Sequence, residues 1–392
     1  MSQKCILLAV ALLLAISAAF AQADSLDFPA PQYMLPMYDS YSRNFLNVEA
    51  MGRGYTTAAL SGGVENAVNN PAALDVKKAA FWMELSIKPP VREINTSNDQ
   101  MYTSPVPFGL IGLQTKIYKD LQGAISYNMP KSLVYDIFSM EINQGNGEVL
   151  RYPAYYLHQF TGTLAYGMGD FKLGLNLQNQ LHSFQDITVF NTFDRIDKVF
   201  YTFRLQPGIL YNRENLHLGA ALTLPSSRRM DIKYLEYDVK LPLQITGGAA
   251  YQFGNNRLSA DLDWEQFSTM SDRFSDRLSF RAGYEKRIRN FTYRAGVMSF
   301  PGVYSGAYRL PLYESDGGEQ DLWWSNVDRG GIIKDTDQLY ATAGFTYYFK
   351  GGKLVMGAMR DVLNHVPTTL VSMSLGFNLE TLKRRKFPIF DK

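Results

Sequence analysis

The sequence predicts an all-β protein: a transmembrane antiparallel β-barrel of about fourteen strands, with an N-terminal segment that plugs the lumen. Three observations carry this reading. Apolar and polar residues alternate with period two through most of the chain. Tight polar turns alternate with longer connections, as they do between the two rims of a membrane barrel. Aromatic residues make up 14% of the chain, while beyond its first residues no apolar run approaches the roughly 20 residues that a membrane helix needs.

In chain order, the first element is an export signal. Lys4 precedes an apolar run from Ile6 to Ala19, and the small residues around Ala19-Phe20-Ala21 suit cleavage after Ala21, giving a signal peptide over 1–21. The lone Cys5 lies ahead of the apolar core, so the mature chain is expected to hold no cysteine, disulfide or thiolate metal site. Residues 22–78 carry Pro29, Pro31 and Pro36 and then the Gly-, Ala- and Asn-rich stretch GRGYTTAALSGGVENAVNNPAAL. Such a backbone would be left unpaired in hydrocarbon, so the segment is expected inside or beneath the barrel.

The barrel is expected over 79–380. In 257–267, Leu258, Ala260, Leu262 and Trp264 form one row, and Ser259, Asp261, Asp263 and Glu265 form the other. A lipid-facing row thus alternates with a wet one, a pattern that a helix cannot hold on separate faces. The same pattern recurs over 243–253, 276–285, 338–349 and 369–379. Turns are expected at Lys119-Asp120, Gly169-Asp170, Arg213-Glu214, Asn255-Asn256, Arg289-Asn290 and Gly351-Gly352. They divide the chain into strands at 79–88, 106–118, 121–142, 156–168, 171–185, 198–212, 215–224, 238–253, 256–267, 277–288, 290–301, 337–350, 352–362 and 369–380. The even count brings both ends of the barrel to one rim. A basic tail, 381–392, follows.

Composition narrows the function. Lys+Arg 39 against Asp+Glu 37 gives a net charge of +2 with the charges dispersed, which argues against a nucleic-acid partner. There is no G-x-S-x-G elbow and no H-E-x-x-H pair, and the four histidines are scattered. No enzyme, metal or cofactor is therefore expected.

The stretch Gly52 to Leu74, above all Asn70-Pro71-Ala72-Ala73-Leu74, resembles the glycine-rich lead-in and Asn-Pro-Ala motif of the FadL/TodX hydrophobic-compound transporters. Residues 241–268 are similar to that family's barrel hairpin at Pro242, Gly248, Ala250, Tyr251, Leu258, Asp261 or Asp263, and Trp264. The resemblance implies a fourteen-stranded outer-membrane barrel with an N-terminal hatch, passing long-chain fatty acids or other hydrophobic small molecules inward among outer-membrane lipids. The related PorV and PorQ barrels imply an alternative, a barrel that binds protein cargo or partners in a secretion system. The tail Lys383-Arg384-Arg385-Lys386 departs from an aromatic C-terminal strand end.

Candidate site residues follow. Asn69, Asn70, Pro71 and Ala72 form either a movable hatch or a fixed turn. Asp261, Asp263 and Glu265 face Arg277 and Arg281 as expected cross-strand ion pairs, while Arg204, Arg281 or Arg294 could meet a carboxylate headgroup. His182 and His217 read as polar filler. The long connection from Gly302 to Gln338 carries Tyr313, Trp323 and Trp324, which either pack on one another or capture an apolar ligand. Pro130 breaks the third strand's hydrogen-bond ladder and marks either a lateral window or a bulge.

Overall fold

The computed structural model describes residues 43–87, 100–102, 109–141, 148–151, 154–189, 193–232, 235–270, 274–303, 310–311, 321–322, 337–363 and 369–379. Among them fourteen strands close into a barrel: β1 Ala80–Ile87, β2 Leu110–Tyr118, β3 Leu121–Glu141, β4 Ala154–Met168, β5 Phe171–Val189, β6 Phe193–Arg213, β7 Leu216–Thr223, β8 Gln244–Phe253, β9 Asn256–Glu265, β10 Arg277–Ile288, β11 Phe291–Phe300, β12 Gln338–Phe349, β13 Gly352–Asp361 and β14 Thr369–Asn378. Each pairs antiparallel with the next. β1 pairs with β14 from Ala80↔Asn378 to Ile87↔Val371, which closes the ring.

Six hairpins turn at one rim. Their backbones pass through the left-handed region at Lys119, Gly169, Glu214, Gly254, Arg289 and Gly351, as two-residue turns between twisted strands require. The longer connections leave from the opposite rim. β5 and β6, of 19 and 21 residues, exceed the roughly 9–11 that span a bilayer and extend past that rim as a hairpin.

Burial follows the alternation. Leu262 is 53% exposed on the outer wall while the adjacent Asp263 is fully buried inside. Leu164, Leu173, Phe203, Leu258 and Phe280 share the exposed apolar face, and Thr161, Asn176, Gln178, Asp261 and Arg281 the buried polar one. An apolar exterior around a polar interior is what a strand-built membrane span presents to lipid. One expected strand is divided. Residues 238–253 break at Pro242, which has no N–H to give to a ladder. Leu235–Leu241 instead pairs with Ser226–Ile232 as a separate hairpin, and β8 begins at Gln244.

Ahead of β1, residues 43–79 run inside the ring. They hold two short helices, α1 Val48–Gly52 and α2 Val64–Ala67, and a 3-10 turn at Pro71–Ala73. Phe45 is the apolar anchor. It is buried with Met51 against Met298, Phe300, Tyr340, Met359 and Leu370, and meets the Phe300 and Tyr340 rings edge-on at 5.4 and 5.5 Å. A second cluster joins Val48, Val64, Ala67 and Leu74 to Trp82, Leu110 and Val355 of the wall. This inner segment is called the plug below.

Candidate functional site

The plug is fastened to the wall by buried hydrogen bonds and ion pairs around the ring. The Glu84 carboxylate of β1 accepts from the Asn47 and Val48 amides at 3.1 Å, which satisfies donors that the start of α1 leaves open. The Gln114 side chain of β2 accepts from the Val64 amide, and that of Gln122 on β3 from the Val76 amide at 2.8 Å. On β5, Asn176 donates to the Ala67 carbonyl at 2.8 Å. Asp261 of β9 accepts from the Thr57 and Ala58 amides at 2.5 and 2.9 Å.

Charge is concentrated on β10, β11 and β13. Lys353 bridges Glu49 at 2.6 Å and Glu65 at 3.0 Å. Glu285 holds Arg53 at 3.1 Å, Arg257 at 3.2 Å and Arg294 at 2.6 Å. Arg294 also reaches Glu49 at 3.4 Å. Burial alone would raise the Glu49 carboxyl, but Lys353, Arg294 and Arg53 more than offset it and hold the group well below its ordinary range.

Glycines on the inner wall let the plug backbone approach. A Cβ on Gly219 would collide with the Ala58 carbonyl, and one on Gly283 with that of Arg53. Glycines also sit opposite one another across neighbouring strands, as Gly174↔Gly208, Gly219↔Gly248, Gly283↔Gly296 and Gly344↔Gly357.

On the far side of the ring the wall itself is irregular. β3 and β4 lose one step of register between Asn128 and Lys131, so Met129 and Pro130 form a bulge. Here the plug supplies what the ladder lacks. The Asn44 amide donates to the Pro130 carbonyl at 2.8 Å, its side-chain nitrogen donates to the Met129 carbonyl and the Ser132 hydroxyl at 3.0 Å, and the backbone of Arg43 pairs with that of Lys131 as an isolated antiparallel β-bridge. At Pro130 the backbone therefore bulges, within a strand that continues to Glu141.

Between the plug and the long-loop rim lies a cavity of about 190 Å³. Plug residues Asn44, Tyr55 and Asn69 bound it on one side, and amides of the wall, Asn128, Gln159, Gln178, Gln180 and Gln206, on the other. Four of the wall amides pair with one another: Gln180 donates to Gln159 at 2.7 Å, and Gln178 to Gln206 at 3.1 Å.

The sequence-derived candidates separate within this frame. Asn70 is fully buried; it caps the 3-10 turn by accepting from the Ala72 amide at 3.1 Å and donates to the carbonyls of Ala58 at 2.7 Å and Ile209 at 3.3 Å. The Asn69 carbonyl accepts from Gln206 at 3.0 Å, and Pro71 and Ala72 pack where a Cβ on Gly208 or Gly174 would stand. Arg204 and Arg281 line the cavity. Arg204 donates to the carbonyls of Leu224 at 3.1 Å and Pro242 at 2.5 Å, tying down both ends of the extra hairpin. Arg281 pairs with Asp263 at 2.9 Å and Arg277 with Glu265 at 3.0 Å, so two of the three acids on β9 pair with wall arginines and Asp261 serves the plug. Arg294 stands apart from Arg204 and Arg281, in the charge cluster. His182 is held by Tyr155 at 2.9 Å and Thr202 at 2.8 Å as polar filler. Tyr313, Trp323 and Trp324 lie outside the described residues.

No protein-family model matches the sequence, and no curated protein matches it. Solved structures do. A FadL homologue of Pseudomonas aeruginosa superposes with a TM-score of 0.60 at 12% identity, over 85% of this chain and 98% of that one. The Ralstonia pickettii toluene transporter TbuX gives 0.61 at 13%, over 86% and 99%. The Pseudomonas putida toluene transporter TodX gives 0.62 at 11%, over 86% and 97%. The fold is FadL-like. At such identities the likeness fixes the path of the chain and leaves the chemistry to the residues. In this FadL-like barrel, Asn44, Glu84 and the pairing of the facing glycines escaped the sequence reading. Glu84 alone carried a local signal, an acid on the wet row of β1.

Proposed function

We propose that the chain is a non-enzymatic outer-membrane channel for the passive uptake of small hydrophobic compounds. On this reading residues 1–21 direct export, 22–78 form the hatch, 79–380 span the membrane and 381–392 trail from the barrel. The observation that carries the proposal is the contact of Asn44 with the Met129-Pro130 bulge. The plug obstructs the lumen, and the same plug holds the wall where its ladder is interrupted. A ligand entering from the long-loop rim would meet the plug beside this bulge and leave sideways into the bilayer as Asn44 shifts. Such a route suits a molecule that dissolves in lipid. Supporting it, two of the superposed barrels are described as toluene transporters. Long-chain fatty acids belong to the same class of cargo. Asn69, Asn70, Pro71 and Ala72 then form the fixed floor of the hatch, Arg204 and Arg281 border the ligand path, and Tyr313, Trp323 and Trp324 capture ligand outside.

The test locks plug to wall. Arg43 and Lys131 face each other in an antiparallel bridge, where Cα atoms stand about 4.5–5.5 Å apart, within disulfide range. The double variant Arg43→Cys, Lys131→Cys, oxidised in proteoliposomes, is expected to lose toluene and fatty-acid uptake, and reduction to restore it. Equal uptake in both redox states would sink the proposal. A stoichiometric protein copurifying with an inactive barrel would turn the assignment toward cargo binding.

A further inference from the structure

The tight turns of the short-turn rim differ in charge. Lys119-Asp120, Gly169-Asp170 and Glu214-Asn215 each hold an acid, and Gly254-Asn255 holds no charge. Arg289-Asn290 and Lys350-Gly351 hold an exposed cation and no acid. These two turns are neighbours: β11 pairs with β12, and the Tyr348 amide donates to the Asn290 carbonyl at 2.8 Å. Lys286, also exposed, joins them near the end of β10, two residues after Tyr284 on the outward row. The acid between them, Glu285, is turned inward, where Arg53, Arg257 and Arg294 hold it. Among the described residues no side chain pairs with Lys286, Arg289 or Lys350. Aromatic rings set the depth of these cations. Phe291, Tyr293 and Tyr347 are exposed on the outer wall; Phe291 meets Tyr347 at 5.0 Å and Tyr293 at 6.1 Å, and Tyr347 meets Phe349 at 6.3 Å. Such a band marks where a barrel passes from hydrocarbon to the interface. Arg289 and Lys350, beyond the band, therefore lie at the level of lipid headgroups. Lys286 is level with Tyr293 in the register, and its four-carbon stem is long enough to carry the ammonium to the same layer.

We propose that this corner of the rim, formed by Lys286, Arg289 and Lys350, binds the phosphate of an anionic phospholipid in the surrounding leaflet. Cations without a counter-ion at headgroup depth suit a phosphate, which they meet with charge-assisted hydrogen bonds. A zwitterionic headgroup brings its own cation to its phosphate, whereas an anionic one leaves that charge for the protein. The turns across the ring, with acids at Asp170 and Glu214, lack this excess. The assignment concerns the membrane around the barrel, goes beyond the channel reading, and holds whatever crosses the lumen.

The test offers the full-length barrel, in neutral detergent micelles, an equimolar mixture of phosphatidylglycerol and phosphatidylcholine with identical acyl chains. Native mass spectrometry counts the lipids retained. Phosphatidylglycerol is expected to be retained in preference by at least about ten-fold, since each cation near an anionic surface contributes roughly five-fold. The triple variant Lys286→Gln, Arg289→Asn, Lys350→Gln should abolish the preference; asparagine suits the φ of 52° at position 289. The triple variant Lys116→Gln, Lys119→Asn, Arg213→Gln removes the same charge at other turns and should keep it. Folded mobility on unheated gels shows that each barrel has closed, and Lys350→Gln alone, expected to lower the preference about five-fold, repeats the test should the first triple variant not close. Equal retention of the two lipids, or equal loss of preference in both triple variants, would overturn the assignment. Displacement of the bound lipid by millimolar glycerol 3-phosphate would overturn it in favour of a soluble phosphate ligand.

Discussion

The backbone amide of Asn44 donates to the carbonyl of Pro130 at 2.8 Å, and the Asn44 side chain reaches the Met129 carbonyl beside it. The plug therefore acts as a short third strand where β3 and β4 slip. Asn44→Ala keeps the backbone bond and removes two side-chain bonds, at an expected cost of about 1–2 kcal/mol to plug docking. Hydrogen exchange at Phe45 to Val48 should quicken while exchange in β9 to β13 stays unchanged. Unaltered protection at those amides would show that the side chain contributes nothing.

Lys353 is the shared counter-ion of Glu49 and Glu65. Lys353→Met leaves both carboxylates buried without it. Because the lysine side chain is 24% exposed, the cost should fall toward the lower end of the usual range for a broken buried pair, about 3 kcal/mol. The thermal midpoint of the detergent-solubilised barrel reads this directly; a midpoint within error of the parent would contradict the bridging role.

The acid response of the plug follows from Glu49. Its carboxyl, ordinarily near 4.5, is held well below that value in the folded protein by Lys353, Arg294 and Arg53 against the opposing effect of burial. A depressed carboxyl contributes stability that is fully present above its unfolded value and is lost as pH falls through the folded one. The contribution of Glu49 to plug docking should thus be flat from neutrality down to about pH 5 and weaken only in stronger acid. Glu49→Gln should be less stable at neutral pH and show a shallower loss in acid. A steep loss between pH 7 and about pH 5 in the parent protein would assign the response to another group.

Gly219→Val places a side chain where the Ala58 carbonyl lies. The outer face of β7 is untouched, so the barrel should still close, with the plug displaced. Single-channel conductance in planar bilayers should rise from a closed baseline to persistent open events, and Ala221→Val, one inward position away, should have a smaller effect. A closed Gly219→Val barrel with native stability would mean that the plug backbone can give way there.

Much of the wall was legible because a membrane barrel imposes a strict two-residue period. Asn256 to Ile288 alternates so cleanly that β9 and β10 and the turn at Arg289 could be placed to within a residue or two. The division at Pro242 was hidden inside a run of apolar and polar alternation that crosses it. The attachments of the plug were not legible, for a different physical reason. Thr57 to Asp261 and Arg53 to Glu285 join residues more than 200 positions apart. Neither periodicity nor spacing records such a partner. The glycine pairs are equally silent in one dimension: Gly174 and Gly208 become a single smooth patch only once the register between β5 and β6 is known.

The seam between β1 and β14 brings Ala80 beside Asn378, and the chain immediately before Ala80 is the plug. Every other neighbouring pair of strands can zip locally, but this one must await nearly the whole polypeptide. The N-terminal segment is therefore made first and enclosed last, and its contacts with β9 to β13 can mature only as the ring shuts. Assembly is expected to pass through an open, curved sheet with a free edge at either end, a species that would pair with other edges unless chaperoned. Once the ring is shut, release of the plug requires the seam to open first, so the lifetime of the finished barrel is expected to follow the barrier to that opening rather than its equilibrium stability.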